Sequence, residues 1–205
     1  MSDSLGVTIC RLSLDPVRGR IRHPMQVGIA IRAAMFVDLA LSGRLVGQRW
    51  PEAIGSSDLD DPLLNAVHRA VSDRAAAPWR RWYSHVDADR EAAVTALTTS
   101  GRWQRTDRRI LDSDPGSTVV DQQRFRQLYL AGEVPDDLET AVVALLLGGA
   151  GGVGWPTPRR TRRLAKQWLP PHLMKSGRAG DAVLSSLLAA MATVRRSSPI
   201  PLLYR

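Results

Sequence analysis

The sequence is poor in cysteine, in lysine and in long apolar runs, and these shortages exclude several structures and weaken one argument from charge. The single cysteine, Cys10, excludes an intramolecular disulfide and a cysteine-built zinc site, and is typical of a chain kept in a reducing cytosol. The longest uncharged stretch, 140–158, contains a glycine run and two prolines, so it is not a membrane span of about 20 apolar residues. The first residues show no basic segment followed by a long apolar run, and we expect no secretory signal.

Acidic residues are outnumbered by basic ones. The 205 residues include 28 lysines and arginines against 20 aspartates and glutamates, which gives a formal net charge of +8. Such a surface attracts polyanions, and nucleic acid and anionic membranes both qualify. However, 26 of the basic residues are arginines, and GC-rich codon usage also replaces lysine by arginine without any partner being involved. Hydrophobic residues form 44% of the chain, which is enough for a sizeable buried core.

The predicted fold is mainly α. Apolar spacing and capping residues predict helices over Leu5–Leu14, Pro24–Ser42, Asp61–Asp73, Pro78–His85, Asp87–Ser100, Asp121–Ala131, Leu138–Leu147, Pro158–Trp168 and Asp181–Arg195. The helix Leu138–Leu147 is apolar on all sides, so we expect it to be the buried central helix. The last two helices, within 158–195, are basic. We expect one compact helical domain over residues 1–205.

A β-hairpin is predicted to project from this helical body. Gly101 is suited to end the preceding helix in a left-handed conformation. The strand-like segments Trp103–Leu111 and Thr118–Asp121 flank residues 112–117, where Pro115-Gly116 favours a type II turn. The hairpin is therefore predicted over about 103–121, with its turn at 112–117.

Motifs for catalysis or metal binding fail on their context. Gly149, Gly151 and Gly154 match GxGxxG, but no other βαβ unit is visible, so a flexible connection between helices is favoured over a nucleotide site. Asp112 and Asp114 lack the bidentate glutamate of a calcium loop. The four histidines have no metal-ligand spacing. Without a nucleophile and base pair, we expect no enzyme, no metal and no cofactor.

Two aromatic or basic segments each allow two interpretations. Trp79, Trp82 and Tyr83 have helical spacing, and they form either an aromatic anchor on the core or an interfacial helix resting on a membrane. The helix that starts at Pro158 is basic, and its cations form either a solvated face or an anion-contacting patch. Those cations are Arg159, Arg160, Arg162, Arg163 and Lys166.

Several segments, in the same order, resemble the Golgi phosphoprotein 3 family, including its bacterial members. The resemblance is strongest over 31–45, I-R-A-A-M-F-V-D-L-A-L-S-G-R-L, which is similar to the family's helix ending in E-L-A-L-R-G-R-L. Leu12-Ser13-Leu14-Asp15 with Gly19-Arg20 resembles its opening, and residues 61–66, D-P-L-L-N-A, resemble G-D-x-L-L-D-E-A. The order and spacing of these segments cover nearly the whole chain.

The resemblance implies a mostly helical domain that binds phosphatidylinositol 4-phosphate headgroups at a membrane surface. In the family, a tryptophan and arginines form the phosphate pocket, and the hairpin inserts into lipid. By position, Arg32 and Arg90 match two pocket arginines. His23 falls at or near the tryptophan's place and can add a donor when protonated. Asp87 falls where another arginine is expected, and its carboxylate repels phosphate.

The charged residues of the predicted hairpin disfavour its deep insertion into lipid. Ile110 and Leu111 are its only aliphatic residues between 106 and 117, and they stand beside Arg105, Arg108 and Arg109. We therefore expect shallow docking, with the arginines at the headgroups. The prediction is a peripheral membrane protein that binds anionic phospholipids and is reversibly associated with the cytosolic face of a membrane.

The sequence is also compatible with two other functions. A helix followed by a hairpin also resembles a nucleic-acid-binding winged helix, but Asp87, Asp89 and Glu91 leave Arg90 as the one basic residue near the start of that helix, so nucleic acid is the weaker prediction. Alternatively, the chain is an adaptor that has lost lipid binding, with its arginines facing an acidic protein client. The oligomeric state is not predicted.

Overall fold

The computed structural model describes residues 3–74, 76–84, 86–151, 158–174 and 177–197. These residues form helices that account for most of the fold, and the predicted mainly α architecture is confirmed. The α-helices are α1 Leu5–Leu12, α2 Pro24–Leu41, α3 Pro62–Ser72, α4 Asp87–Thr99, α5 Pro115–Ala131, α6 Leu138–Ala150, α7 Pro158–Leu173 and α8 Gly177–Ser197.

Within the described ranges the strands are short and form three antiparallel pairs. Each pair joins neighbours along the chain, so each is a small hairpin between helices rather than part of a larger sheet. The pairs are β1 Leu14–Asp15 with β2 Arg20–Ile21, β3 Leu45–Val46 with β4 Glu52–Ala53, and β5 Trp103–Arg105 with β6 Ile110–Asp112.

Helices α2 and α6 form the centre of the core. Helix α6 is buried from Ala141 to Ala150, which confirms the predicted central helix and extends it beyond Leu147. Helix α2 packs against α1, α4, α6 and α8. By length and composition it is the one described helix that could cross a membrane, but 72% of it is buried inside the fold. Its apolar side chains are therefore used for packing between helices.

The glycines at the end of α6 are packing positions. A Cβ atom added at Gly148 would lie 2.3 Å from the Tyr129 ring, and one added at Gly149 would lie 2.3 Å from the sulfur of Met191. The predicted flexible connection is therefore wrong for these two residues, because they continue a helix and let α5 and α8 approach it closely. Residues 152–154 of the same glycine run lie outside the described residues.

The β-hairpin is confirmed, but its turn is not where the sequence predicts it. The turn spans Thr106 to Arg109, with the Thr106 N–H donating to the Arg109 carbonyl at 2.8 Å. Residues 115–117 instead begin α5, because the Asp114 carboxylate accepts from the Ser117 N–H at 3.1 Å and Pro115 occupies the first helical position. The predicted strand 118–121 therefore lies inside a helix, and the hairpin ends at Asp112.

The aromatic segment anchors the core. Residues Trp79–Tyr83 form a short 3₁₀ helix, where the sequence predicts an α-helix to His85, which lies outside the described residues. The rings of Trp79, Trp82 and Tyr83 are buried and meet Phe36 edge to face, with centroids 5.3 to 6.2 Å apart. The core interpretation is confirmed, and an interfacial helix is wrong.

Several helix termini meet at one end of the molecule, which we call the α2 N-terminal end. The side-chain amide of Gln26, in the first turn of α2, donates to the Ser197 carbonyl at the end of α8, at 3.4 Å. A Cβ atom on Gly28 would contact Val86, which precedes α4. The last turn of α6 reaches Met191 on α8 through Gly149. The starts of α2 and α4 and the ends of α6 and α8 therefore lie together.

Candidate functional site

A groove opens beside the β5–β6 hairpin at the α2 N-terminal end. It has a volume of about 340 Å³ and lies between the β1–β2 turn, the start of α2, one face of α4 and the hairpin. We call it the hairpin groove. Its lining consists of residues 19–21, Pro24, residues 90, 91 and 94 of α4, and residues 105–110.

Two turns that touch through their backbones build one wall of the hairpin groove. The Ile110 N–H donates to the Gly19 carbonyl at 2.9 Å, and Gly19 has a left-handed backbone with φ of 62°. A Cβ atom at Gly19 would lie 2.8 Å from the Ile110 carbonyl oxygen, so only glycine fits here without displacing the hairpin. Asp15 holds the same turn by accepting from the Arg18 and Val17 N–H groups, and these bonds lower the pKa of its carboxyl group.

Arginines dominate the lining of the hairpin groove. It includes five of them, against the two carboxylates of Glu91 and Asp107. The five are Arg20, Arg90, Arg105, Arg108 and Arg109. This excess of positive charge, in a concave and partly apolar site, favours binding of an anion with several negative oxygens.

Arg90 is the most enclosed cation of the groove and is already paired. Its side chain is 18% exposed, and Nη1 donates to Asp87 Oδ1 at 2.7 Å. Nη2 lies 3.6 Å from Glu91 Oε1, while Glu91 also accepts from Arg105 at 2.9 Å. Asp87, which stands at a predicted arginine position, therefore neutralises Arg90. An incoming phosphate has to share or displace that carboxylate.

Arg32 occupies a different environment from Arg90. Its side chain is 14% exposed, with Nε donating to the Asp89 carboxylate and Nη1 donating to the Trp82 carbonyl at 3.1 Å. Arg32 is absent from the lining of the hairpin groove, although Asp89 adjoins Arg90 in sequence. The structure thus brings Arg90, but not Arg32, into the groove, and a phosphate-binding role for Arg32 stays a prediction.

Some of the other predicted site residues line the hairpin groove, and others do not. Arg105, Arg108, Arg109 and Ile110 line the groove, whereas Leu111 lies outside its lining with 47% of its surface exposed. Ile110 is partly buried and packs on the core, so Leu111 is the more exposed of the two aliphatic residues. His23 has a left-handed backbone with φ of 44° and adjoins Pro24, which lines the groove.

A second basic groove, which sequence reasoning only half identified, lies between α7 and α8. Its volume is about 530 Å³. We call it the α7–α8 groove. Its lining is Arg159, Arg162, Leu188, Met191, Ala192, Arg195 and Arg196. The predicted basic helix contains Arg159 and Arg162. The other two arginines, Arg195 and Arg196, form a pair near the end of α8 that the sequence analysis did not identify as part of a site. Arg160 has another role, since it donates to the carbonyls of Tyr129 and Leu130 at 3.1 and 2.7 Å.

The described residues offer neither a cluster of metal ligands nor a reactive thiol. No three histidine, cysteine, aspartate or glutamate side chains in the described ranges are grouped to hold a metal ion. Burial raises the pKa of Cys10 to about 12, so its sulfur stays a protonated thiol at neutral pH and is a poor nucleophile. Cys10 is completely buried and belongs to the hydrophobic core.

Comparison of the sequence with known proteins identifies the family to which this chain belongs. A search of curated proteins found no match. The family model described as Golgi phosphoprotein 3 (GPP34) matches residues 10–199, which include α2, α4, the hairpin and both arginine-lined grooves. Since the match spans most of the sequence, this chain belongs to the Golgi phosphoprotein 3 family.

Proposed function

We propose that this protein is a peripheral membrane protein that binds the phosphate-bearing headgroups of anionic phospholipids, phosphoinositides foremost, in the hairpin groove. Membership of a non-enzymatic lipid-binding and adaptor family is consistent with this function. The observation that carries the proposal is the concentration of five arginines around one concave site next to an exposed aliphatic residue, Leu111.

The chemistry of the groove suits a phosphate group. Guanidinium groups form charge-assisted and often bidentate hydrogen bonds with phosphate oxygens. In the described structure, Arg20, Arg108 and Arg109 have no carboxylate partner and are exposed, so they can reach a ligand without breaking an ion pair. The first turn of α2, which starts at Pro24, adds the partial positive charge of a helix N-terminus.

The hairpin supplies a shallow contact in this proposal. Residues 105–109 are exposed and mostly charged, which suits the headgroup layer, while Leu111 reaches the interface. Each basic residue close to an anionic surface contributes about 1 kcal/mol, so a few of them hold the domain reversibly. This accounts for the proposed location at the cytosolic face of a membrane.

The winged-helix alternative has less support. Helix α4, which precedes the hairpin, carries Asp87 and Asp89 in its first turn. Asp89 is buried against Arg32, and Arg90 is paired with Asp87. A recognition helix that approaches DNA phosphates with this charge would be repelled, so nucleic acid serves as the comparison ligand in the test.

The test is co-sedimentation of the full chain with vesicles. We expect binding to phosphatidylcholine vesicles that contain phosphatidylinositol 4-phosphate, and at least about tenfold weaker binding for R90Q/R108Q. The control variant R44Q/R49Q removes the same charge near β3, which follows the other end of α2. Equal binding by wild type and R90Q/R108Q, or binding to duplex DNA but not to vesicles, would contradict the proposal.

A further inference from the structure

The α7–α8 groove has charged walls and an apolar floor. Arg159 and Arg162 on α7 face Arg195 and Arg196 on α8 across the groove. Between them lie Leu188, Met191 and Ala192, all from α8. A ligand that fills this groove therefore meets both guanidinium groups and aliphatic surface.

No carboxylate among the described residues neutralises the charge of the α7–α8 groove. Within the described part of the chain, its lining contains no carboxylate, and none of the four arginine side chains has an ion pair or hydrogen bond. All four side chains are exposed. Four like charges on adjacent helix faces repel one another, and an anion bound among them relieves that repulsion. The four arginines lie outside the hydrophobic core, to which the buried side chains of both helices belong, so core packing does not require the cluster.

The two arginine-lined grooves lie at the same end of the molecule. Ser197 follows Arg196 directly, and its carbonyl accepts from Gln26 in the first turn of α2. That turn begins at Pro24, which lines the hairpin groove. The last turn of α8 and the hairpin groove therefore both adjoin the first turn of α2.

We infer that the α7–α8 groove is a second phospholipid site, which holds the phosphate of a bilayer glycerophospholipid between its arginines and the glycerol part on its aliphatic floor. The inference rests on the membrane binding proposed above and extends it to a surface with no assigned function. Charge complementarity selects an anion, and the shared end with the hairpin groove selects a membrane over a separate ligand. The protein would thus dock through two points.

The experiment compares variants of the full chain on phosphatidylcholine vesicles with and without phosphatidylglycerol. R162Q/R195Q removes one guanidinium from each helix and alters no described contact. We expect it to bind the anionic vesicles about 30-fold more weakly than wild type, from two basic contacts at a membrane. R44Q/R49Q again serves as the charge-matched control and is expected to lose about threefold or less, through screened long-range attraction.

A second variant tests the groove without removing an arginine. Ala192 is exposed on the floor, so A192E is compatible with the fold and places a carboxylate among the four guanidinium groups. We expect A192E to lose vesicle binding to a similar degree as R162Q/R195Q. Normal binding by both variants would overturn the inference. It would also be overturned if both variants lost affinity for duplex DNA or for an acidic protein but bound the anionic vesicles normally.

The two proposals fail in distinguishable ways. If wild type binds no anionic vesicle, both fail together. If R90Q/R108Q loses binding and R162Q/R195Q does not, only the second site is wrong. If R162Q/R195Q and A192E lose binding and R90Q/R108Q does not, the second site stands and the hairpin groove is not the headgroup site.

Discussion

The hairpin groove and the α7–α8 groove differ in how many of their arginines are paired with carboxylates: two of five in the first and none of the four described in the second. In the hairpin groove, Arg90 and Arg105 are held by Asp87 and Glu91 before any ligand arrives. In the α7–α8 groove, no carboxylate of the described residues lines the site. A paired arginine is fixed in position, and a ligand must compete with its carboxylate, which favours selectivity. An unpaired arginine attracts any anion and is screened by salt. One groove is therefore suited to recognition and the other to attraction.

The largest expected effect concerns an arginine that belongs to neither groove. R32A leaves the Asp89 carboxylate largely buried and without its partner, and frees the Trp82 carbonyl. We expect the free energy of unfolding to fall by about 3 to 5 kcal/mol, as for other broken buried ion pairs. Denaturant unfolding measures this loss. R108A at the exposed hairpin tip is the control and is expected to change stability by about 0.5 kcal/mol or less.

R32A also tests whether Arg32 lies outside the ligand site. If R32A unfolds at the denaturant concentration of wild type but no longer binds anionic vesicles, Arg32 is a ligand-contacting residue, and the groove must rearrange to include it. The double variant R32A/D89A removes both charges, so it should recover part of the lost stability.

A second prediction compares the two ends of α2. At the end away from the grooves, the Asp38 carboxylate accepts from the Leu5 N–H at 2.9 Å, and burial raises its pKa from 3.8 to about 7, with Asp61 and Glu139 adding repulsion. The folded chain therefore holds a proton that the unfolded chain releases between these pH values. This contribution to stability is present below pH 3.8 and falls by up to about 1.4 kcal/mol per unit as the pH rises towards 7.

Asp38→Asn tests this contribution, because an amide oxygen still accepts from Leu5 but does not titrate. We expect D38N to be more stable than wild type at neutral pH and to lose that part of the pH dependence between 4 and 7. Thermal or denaturant unfolding at several pH values measures it. An unchanged slope in D38N would assign the pH dependence to other groups.

The smallest predicted effect comes from releasing Arg90 from its ion pair. Asp87→Asn releases Arg90 from its carboxylate while keeping a polar side chain at the exposed position. We expect binding to phosphoinositide vesicles to strengthen about three- to fivefold, the effect of one basic contact. D136N removes an exposed carboxylate elsewhere and is the control. Equal gains in D87N and D136N would mean that net charge, rather than Arg90, sets the affinity.

Local patterns predicted the helices, and competing local patterns account for the error in the hairpin. Apolar spacing was enough to identify α2 and α6, since most residues of both are buried. The segment Asp114-Pro115-Gly116 suits both a turn and a helix start. The helix start is the one adopted, with Asp114 as its N-cap, because α5 then continues to Ala131 and buries Tyr129.

The sites were harder to predict than the fold, because they depend on pairing between distant residues. Nothing local says that Arg32 meets Asp89, or that Arg195 lines a groove with Arg159. The tight position of Gly148 likewise depends on Tyr129, which lies on another helix. The family resemblance placed Arg90 at a candidate site, and the three-dimensional packing separated it from Arg32.

The contact between Gly19 and Ile110 also reduces the conformational entropy that the hairpin groove loses when a ligand binds. The backbones of the two turns are joined by a hydrogen bond at 2.9 Å, and no side chain stands between them. Arg20 and Arg109 follow and precede these residues directly, so the backbone positions from which both guanidinium groups extend are fixed before binding. The entropy of shaping this part of the groove is lost during folding, and a headgroup that enters has only the arginine side chains left to immobilise.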